Sequence, residues 1–317
     1  MAYRIKRKER VGRGIRRILR EQLGRAVETA RGRGGAQGTQ EDRVHDVRTR
    51  LKRSRAALKL IGGKLGKRAR KTAKQTDRRL RNRGRRLARP RDMIVQAHTF
   101  RILGARLSRE LPAGLLERMR DVGEQLRRKL DEKSVEKELR RTAQSLRRLR
   151  KRLKTLPVKR GKRAIGKGIT RTYRDARRAL AAVHADPTAE RFHDWRTQVK
   201  LLSNELKIVG RAVPELATRY LDKVEKLGEI LGQIHDLDCA AATTERHPRW
   251  FGSDEDREAV RGLVAEHRVV LEREAFTLAA GVFAGRPRDV RELVETGWAT
   301  WRHGEPKLEE IADERAA

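Results

Sequence analysis

The sequence is poor in cysteine, in aromatic residues and in long apolar runs. A single cysteine, Cys239, among 317 residues excludes an intrachain disulfide and any cysteine-rich zinc site. Aromatic residues make up 4% of the chain, which disfavours most sandwich and barrel folds, because strands draw on aromatic and β-branched side chains. The longest uncharged apolar stretch, residues 275–285, has 11 residues, whereas a membrane-spanning helix needs about 20. We therefore expect no insertion into a membrane.

Acidic residues are also scarce relative to basic ones. The chain has 80 lysine and arginine residues against 43 aspartate and glutamate residues, a net charge of +37. The excess is concentrated in residues 1–150, which hold 48 basic and 16 acidic residues, whereas residues 151–317 hold 32 and 27. A chain this basic repels itself unless an anion neutralises it. The charge thus predicts a polyanionic partner: nucleic acid, polyphosphate or an anionic membrane surface.

The abundant residue types favour helices. Arginine, lysine, leucine, alanine and glutamate dominate the sequence, and all are good helix formers. No segment shows sustained apolar–polar alternation of period two, and glycine or proline clusters separate stretches of helical periodicity. The fold class is therefore predicted to be all-α. The basic start MAYRIKRKER lacks the apolar stretch of a secretory signal, so a cytoplasmic protein is expected.

The sequence contains an internal repeat. The segment HDVRTRLKRSRAALKLI from His45 aligns without gaps with HDWRTQVKLLSNELKIV from His193, and seven positions are identical. A helical segment precedes each copy, starting near Gly14 and Gly168. The repeat predicts two tandem four-helix bundles, one in residues 1–156 and one in residues 157–317.

Each repeat helix carries a row of cations beside an apolar stripe. In the first copy the row is His45, Arg48, Lys52, Arg55 and Lys59; in the second it is His193, Arg196, Lys200 and Lys207. Residues at these spacings share one helix face, and the longer row spans about 21 Å at 1.5 Å per residue. Like charges one turn apart destabilise a helix, so two rows in register favour an anion site over a merely solvated face. We expect the His45 and His193 faces to converge on one site.

The helices that precede the repeats add further candidates. Arg17 and Arg20 align with Arg171 and Arg174, and Arg177 lies one turn beyond. Tyr173 either donates its hydroxyl to an anion or lies in the core; the sequence leaves both open. Gly14 and Gly168 would permit close backbone approach.

These motifs resemble the CHAD domain, the conserved histidine α-helical domain. The resemblance lies in His-x-x-Arg followed by Lys four residues on, as at His45 and His193, in the Tyr-Arg-x-x-Arg at Tyr173, and in the later pairs Arg91-Asp92 and His235-Asp236. It implies two four-helix bundles related by pseudo-twofold symmetry, with basic faces lining a central groove that binds inorganic polyphosphate. It also implies association with polyphosphate granules. The second copy departs from the first, since Ser203 stands where Arg55 stands.

The resemblance and the residues together predict a binding protein rather than an enzyme. No HExxH, GxSxG, P-loop or dinucleotide-binding motif occurs, and no cofactor or metal is expected. The cluster His235-Asp-Leu-Asp238 resembles a metal-binding pair of phosphohydrolases but lacks identifiable partners. The predicted polyphosphate-binding residues are therefore Arg17, Arg20, His45, Arg48, Lys52, Arg55, Lys59, Arg91, Tyr173, Arg174, Arg177, His193, Arg196, Lys200 and Lys207. The alternative is nucleic-acid backbone binding, which uses the same phosphate contacts but ordinarily adds aromatic residues for base stacking.

Overall fold

The protein is all-α, as the sequence predicts. A computed structural model describes residues 3–33, 38–63, 65–88, 96–102, 113–128, 131–158, 161–210 and 212–303, and no strand occurs in these ranges. The main helices are α1 (Val11–Ala30), α2 (Gln40–Gly62), α3 (Lys67–Arg86), α4 (Ala113–Arg128), α5 (Glu132–Arg152), α6 (Gly161–Ala185), α7 (Ala189–Val209), α8 (Asp222–Arg246), α9 (Asp254–Phe283) and α10 (Pro287–His303). Residues 96–102 are also helical.

Side-chain caps fix where the two repeat helices begin. The Thr39 hydroxyl accepts from the Asp42 amide, and the Asp42 carboxylate accepts from the Thr39 amide, which forms a capping box before α2. Thr188 caps α7 by accepting from the Arg191 amide. Each cap satisfies an amide that would otherwise have no intrahelical partner. The first residues of both repeat helices are therefore set by a local sequence signal.

Each half packs around its repeat helix. α1 contacts α2 and α5, and α2 contacts α3; in the second half α6 contacts α7 and α10, α7 contacts α8, and α8 contacts α9. The two halves meet where α2 packs against α6 and α7. One continuous core runs through both halves and includes Ile15, Leu51, Leu58, Trp195 and Val199. The repeat helices thus lie at the centre of the molecule.

A second, smaller core joins residues from both halves near α4. Phe100 and Met119 pack with Phe251 and Val260, and the Phe100 and Phe251 ring centroids lie 5.4 Å apart. The first half therefore contributes residues to the α8–α9 end of the second half. The predicted boundary at residues 156 and 157 falls in the connection between α5 and α6. The division into two separate bundles stays a prediction.

Candidate functional site

A central cleft of about 560 Å³ lies between α2, α3, α7 and α8. Its basic lining side chains are Arg48, Lys52, Arg55, Lys59, Arg81, Arg85, Arg196 and Lys200, and the lining also includes His193, Asp194, Thr197, Asn204 and His235. Among the residues that the structure describes, Asp194 is the one carboxylate in that lining. Eight arginine and lysine side chains against one carboxylate make the cleft strongly attractive to an anion.

Helix α2 supplies one wall of the cleft. Its residues Arg48, Lys52, Arg55 and Lys59 all line the cleft, while Val44, Val47 and Leu58 on the adjacent face are buried. This division follows from the helical period, which places residues three and four apart on one face. The structure thus brings four of the five predicted residues of this row together.

Helix α7 supplies the facing wall. His193, Arg196 and Lys200 line the cleft, and Trp195 on the opposite face is fully buried. The Lys200 side chain lies over Gly228 of α8, where an added Cβ would come 3.1 Å from Lys200 Cδ. A glycine at this position therefore makes room for the lysine stem between the two helices.

Helix α3 adds two cations that the repeat did not predict. Arg81 and Arg85 line the cleft from the side of α3. The same helix comes close to α2, since the Arg48 guanidinium donates to the carbonyl of Gly84. In the sequence these residues belong to the dense basic run of α3. That run shows no repeating pattern of apolar and cationic residues that would identify the positions facing the cleft.

The histidines are arranged differently from the expectation of two matched copies. His193 of α7 and His235 of α8 both line the cleft and contact each other, with ring centroids 4.9 Å apart. His45 is exposed on α2 and does not belong to the lining of the central cleft. The His235-Asp236 pair, which resembles a family motif in the sequence, supplies the histidine that contacts His193. Asp238 of the same cluster instead forms an ion pair with Arg268, at 2.9 Å.

Burial lowers the pKa of two lysines in the cleft. Burial lowers the pKa of Lys59 below 10.5, and the neighbouring Arg55 lowers it further. Lys200 shows the same direction, caused first by burial and then by Arg196. Arg55 is half-exposed and pairs with Asp77 of α3 at 2.8 Å. A bound polyanion would offset the repulsion from these arginines and so raise the pKa of both lysines.

Several predicted residues lie outside the cleft. Arg17 pairs with Glu9 at 2.9 Å and with Glu21 at 3.3 Å, and Lys207 pairs with Glu225. Arg20 and Arg174 are exposed on α1 and α6. Arg91 lies outside the described residues. The geometry gives Arg17 and Lys207 structural ion pairs rather than a place in the central cleft.

Tyr173 is a core residue. Its ring is 1% exposed, and its hydroxyl donates to the carbonyls of Val282 at 3.1 Å and Gly285 at 2.8 Å. Burial raises its pKa well above the usual range. Of the two possibilities that the sequence left open, the structure shows the core position. Arg177, exposed one turn along α6, approaches the same Gly285 carbonyl at 3.5 Å.

The comparisons with known proteins concern the family and the fold. A model of the CHAD domain family matches residues 17–245, which include both repeat helices. The chain belongs to the CHAD domain family. The resemblance stated from the sequence is therefore confirmed. The crystal structure of the CHAD domain from the plant Ricinus communis is similar to this CHAD protein, with a TM-score of 0.57 over 90% of this chain and 96% of that chain, at 18% identity.

At that level of identity the likeness shows the shared fold alone. No curated protein matches the chain. Within the described part of this CHAD protein, no helix is long and apolar enough to span a membrane. The same described residues include no group of three or more histidine, cysteine, aspartate or glutamate side chains arranged to hold a metal ion.

Proposed function

We propose that this CHAD protein binds inorganic polyphosphate in the central cleft. The observation that carries the proposal is the convergence of eight cations from α2, α3 and α7 on one cleft. CHAD domains are associated with polyphosphate or triphosphate ligands in general, and a linear chain of phosphoryl groups needs repeated charge along its length. Binding would release condensed counterions, which supplies a favourable, salt-dependent free energy.

The polar residues of the cleft suit phosphoryl oxygens. Arginine presents a planar set of donors that matches phosphate oxygens in pairs, and lysine supplies a point charge. Thr197 and Asn204 add neutral donors to the same lining. Among the described residues, the lining includes no phenylalanine, tyrosine or tryptophan, which are the side chains that proteins use to stack exposed bases. These features favour inorganic polyphosphate, which consists only of phosphoryl groups, rather than a nucleic acid.

The proposal is of a binding protein and not an enzyme. Phosphoryl transfer ordinarily uses carboxylates to hold metal ions beside the reacting phosphate. In the described part of the chain, the cleft lining holds the single carboxylate Asp194 against eight cations, so its chemistry is that of charge neutralisation. Retention on polyphosphate granules in the cytoplasm is the cellular consequence that we expect.

Charge neutralisation within the cleft tests the proposal. The variant K52Q/R81Q/K200Q removes one cation from each of α2, α3 and α7, and we expect it to lose most retention of long-chain polyphosphate in a filter-binding assay. The matched control K71Q/R78Q/K223Q removes the same residue types from exposed positions outside the cleft. Equal losses in the two variants would show that net charge alone governs binding and would contradict a defined site.

A competition assay separates polyphosphate from nucleic acid. Labelled long-chain polyphosphate bound to the wild-type protein is displaced with unlabelled polyphosphate, DNA, RNA or heparin at one fixed salt concentration, since affinities at different salt cannot be compared. We expect polyphosphate to compete best. Stronger displacement by RNA or DNA would favour the nucleic-acid alternative.

A further inference from the structure

A second basic cavity lies between α3 and α5, outside the central cleft. It has a volume of about 820 Å³ and is lined by Arg79, Asn82, Arg83, Arg85, Arg86, Arg141, Gln144, Ser145, Arg148 and Arg152. Seven of these ten lining residues are arginines, and none is a carboxylate. We call it the arginine cavity. None of its residues is among the polyphosphate-binding residues predicted from the sequence.

Helical spacing explains why the arginines share one space. On α5, Arg141, Arg148 and Arg152 lie on one face, and Thr142, Leu146 and Leu149 on another face are buried. On α3, Arg79, Arg83 and Arg86 fall one turn apart beside the buried Leu80. Residues three, four and seven apart share a helix face. Two helices that bury adjacent apolar faces thus turn their arginine faces toward a common space.

Few carboxylates neutralise this cavity. Glu138 of α5 lies 3.0 Å from Arg83 and 3.9 Å from Arg86. Within the described part of the chain, the other five arginines of the lining form no ion pair. Like charges one turn apart, such as Arg148 and Arg152, destabilise a helix. The concentration of unneutralised guanidinium groups therefore marks a place where an anion would stabilise the fold.

The arginine cavity and the central cleft meet at one residue. Arg85 of α3 lines both spaces. Its helix neighbour Arg81 lines the central cleft, while Arg86 lines the arginine cavity. Helix α3 thus separates the two spaces and presents cations to each. A linear polyanion lying in the central cleft therefore reaches the arginine cavity by passing over Arg85.

We propose that the arginine cavity is an additional site for inorganic polyphosphate, and that a long chain bound in the central cleft continues across Arg85 into it. This inference rests on the function proposed above. One polymer then occupies two connected sites, and the binding of one segment raises the local concentration of the next segment at the second site. Arginine suits such a site because its fork pairs with phosphoryl oxygens in bidentate fashion and stays charged at high pH.

Two variants on the same helix test the inference. R148E/R152E reverses two charges inside the arginine cavity, whereas R147E/K151E reverses two exposed charges on α5 that lie outside its lining. Both pairs are four residues apart, and each removes one cation from the last turn of α5. We expect R148E/R152E to weaken long-chain polyphosphate binding by about tenfold or more and to reduce the slope of log affinity against log salt by about 2.

The control variant R147E/K151E should retain most of the affinity for long-chain polyphosphate and nearly all of the slope of log affinity against log salt. Equal effects of the two variants, or no effect of R148E/R152E, would overturn the inference. Polyphosphate binding and thermal unfolding are measured in parallel on R148Q/R152Q, and together they separate loss of the site from loss of the fold. If the wild-type protein binds no polyphosphate, the proposed function itself fails. If K52Q/R81Q/K200Q loses binding while R148E/R152E retains it, only the extension into the arginine cavity fails.

Discussion

Gly168 of α6 lies directly against the main-chain carbonyl group of Leu60 of α2. A Cβ atom at position 168 would overlap this carbonyl. The Arg171 guanidinium, one turn further along α6, donates to the carbonyl of Lys59. The close approach of these two helices holds the C-terminal end of the α2 cation row against the second half of the molecule. The position of one wall of the central cleft thus depends on the missing side chain of a single glycine.

Alanine at this position should destabilise the protein. Since the obstacle is backbone, G168A must separate α2 from α6, and we expect a loss of roughly 1–3 kcal/mol in the free energy of unfolding. Gly262 in α9 provides the control, because nothing lies within 4 Å of a Cβ built there. G262A should instead gain up to about 1 kcal/mol from helix propensity. Denaturant unfolding of both variants measures the two signs; a stabilised G168A would contradict the contact.

The ion pair between Arg55 and Asp77 holds one cation of the cleft. Because the carboxylate occupies Arg55 at 2.8 Å, D77N should free the guanidinium for phosphate. We expect tighter polyphosphate binding and a salt slope that is steeper by about 1. E274Q removes the partner of Lys226, an exposed pair at 3.0 Å on α8 and α9, and is the control. The same increase in both variants would mean that only net charge had changed.

The lowered pKa values of Lys59 and Lys200 predict a loss of binding at alkaline pH. Both lysines lose their proton below the ordinary value of 10.5, and a neutral amine does not attract phosphate. Affinity should therefore fall as the pH rises through these lowered pKa values. K59R/K200R should keep its affinity over the same range, because arginine stays charged. Binding measured from neutral to alkaline pH checks this, with K71R/K223R, two exposed lysines, as the control; parallel curves for both variants would contradict it.

Glu205 of α7 should make stability depend on pH. It is fully buried, and burial raises its pKa to about 8 against the opposing influence of Arg171 and Lys59. Between its ordinary value of 4.5 and about 8, the folded state holds a proton that the unfolded state has lost. Stability therefore falls as the pH rises through this window.

The neutral variant E205Q lacks this titration. It should match the wild-type protein near pH 5 and exceed it above about pH 8 by at most about 4 kcal/mol in the free energy of unfolding. Urea unfolding at both pH values measures the difference. A constant difference between the two proteins across this range would contradict the raised pKa of Glu205.

Much of the fold and part of the site could be read from the sequence. Local capping residues and the helical period placed Arg48, Lys52, Arg55 and Lys59 on one face, and the repeat identified Arg196 and Lys200 as their counterparts. The same reasoning treated Arg17 and Lys207 as equivalent to them, because spacing alone does not show which carboxylate lies nearby. Glu9 and Glu225 neutralise these two residues through contacts that only the folded chain creates.

The sequence by itself determined an all-helical chain with two cationic rows, since helix propensity, capping and periodicity are local properties. Only the tertiary structure decided that His193 meets His235 and not His45, that Arg81 and Arg85 of α3 join the central cleft, and that Tyr173 lies in the core. The physical reason is that a helix face acquires its partner from the packing of distant helices. That packing depends on close approaches such as Gly168 against Leu60, which no periodicity records.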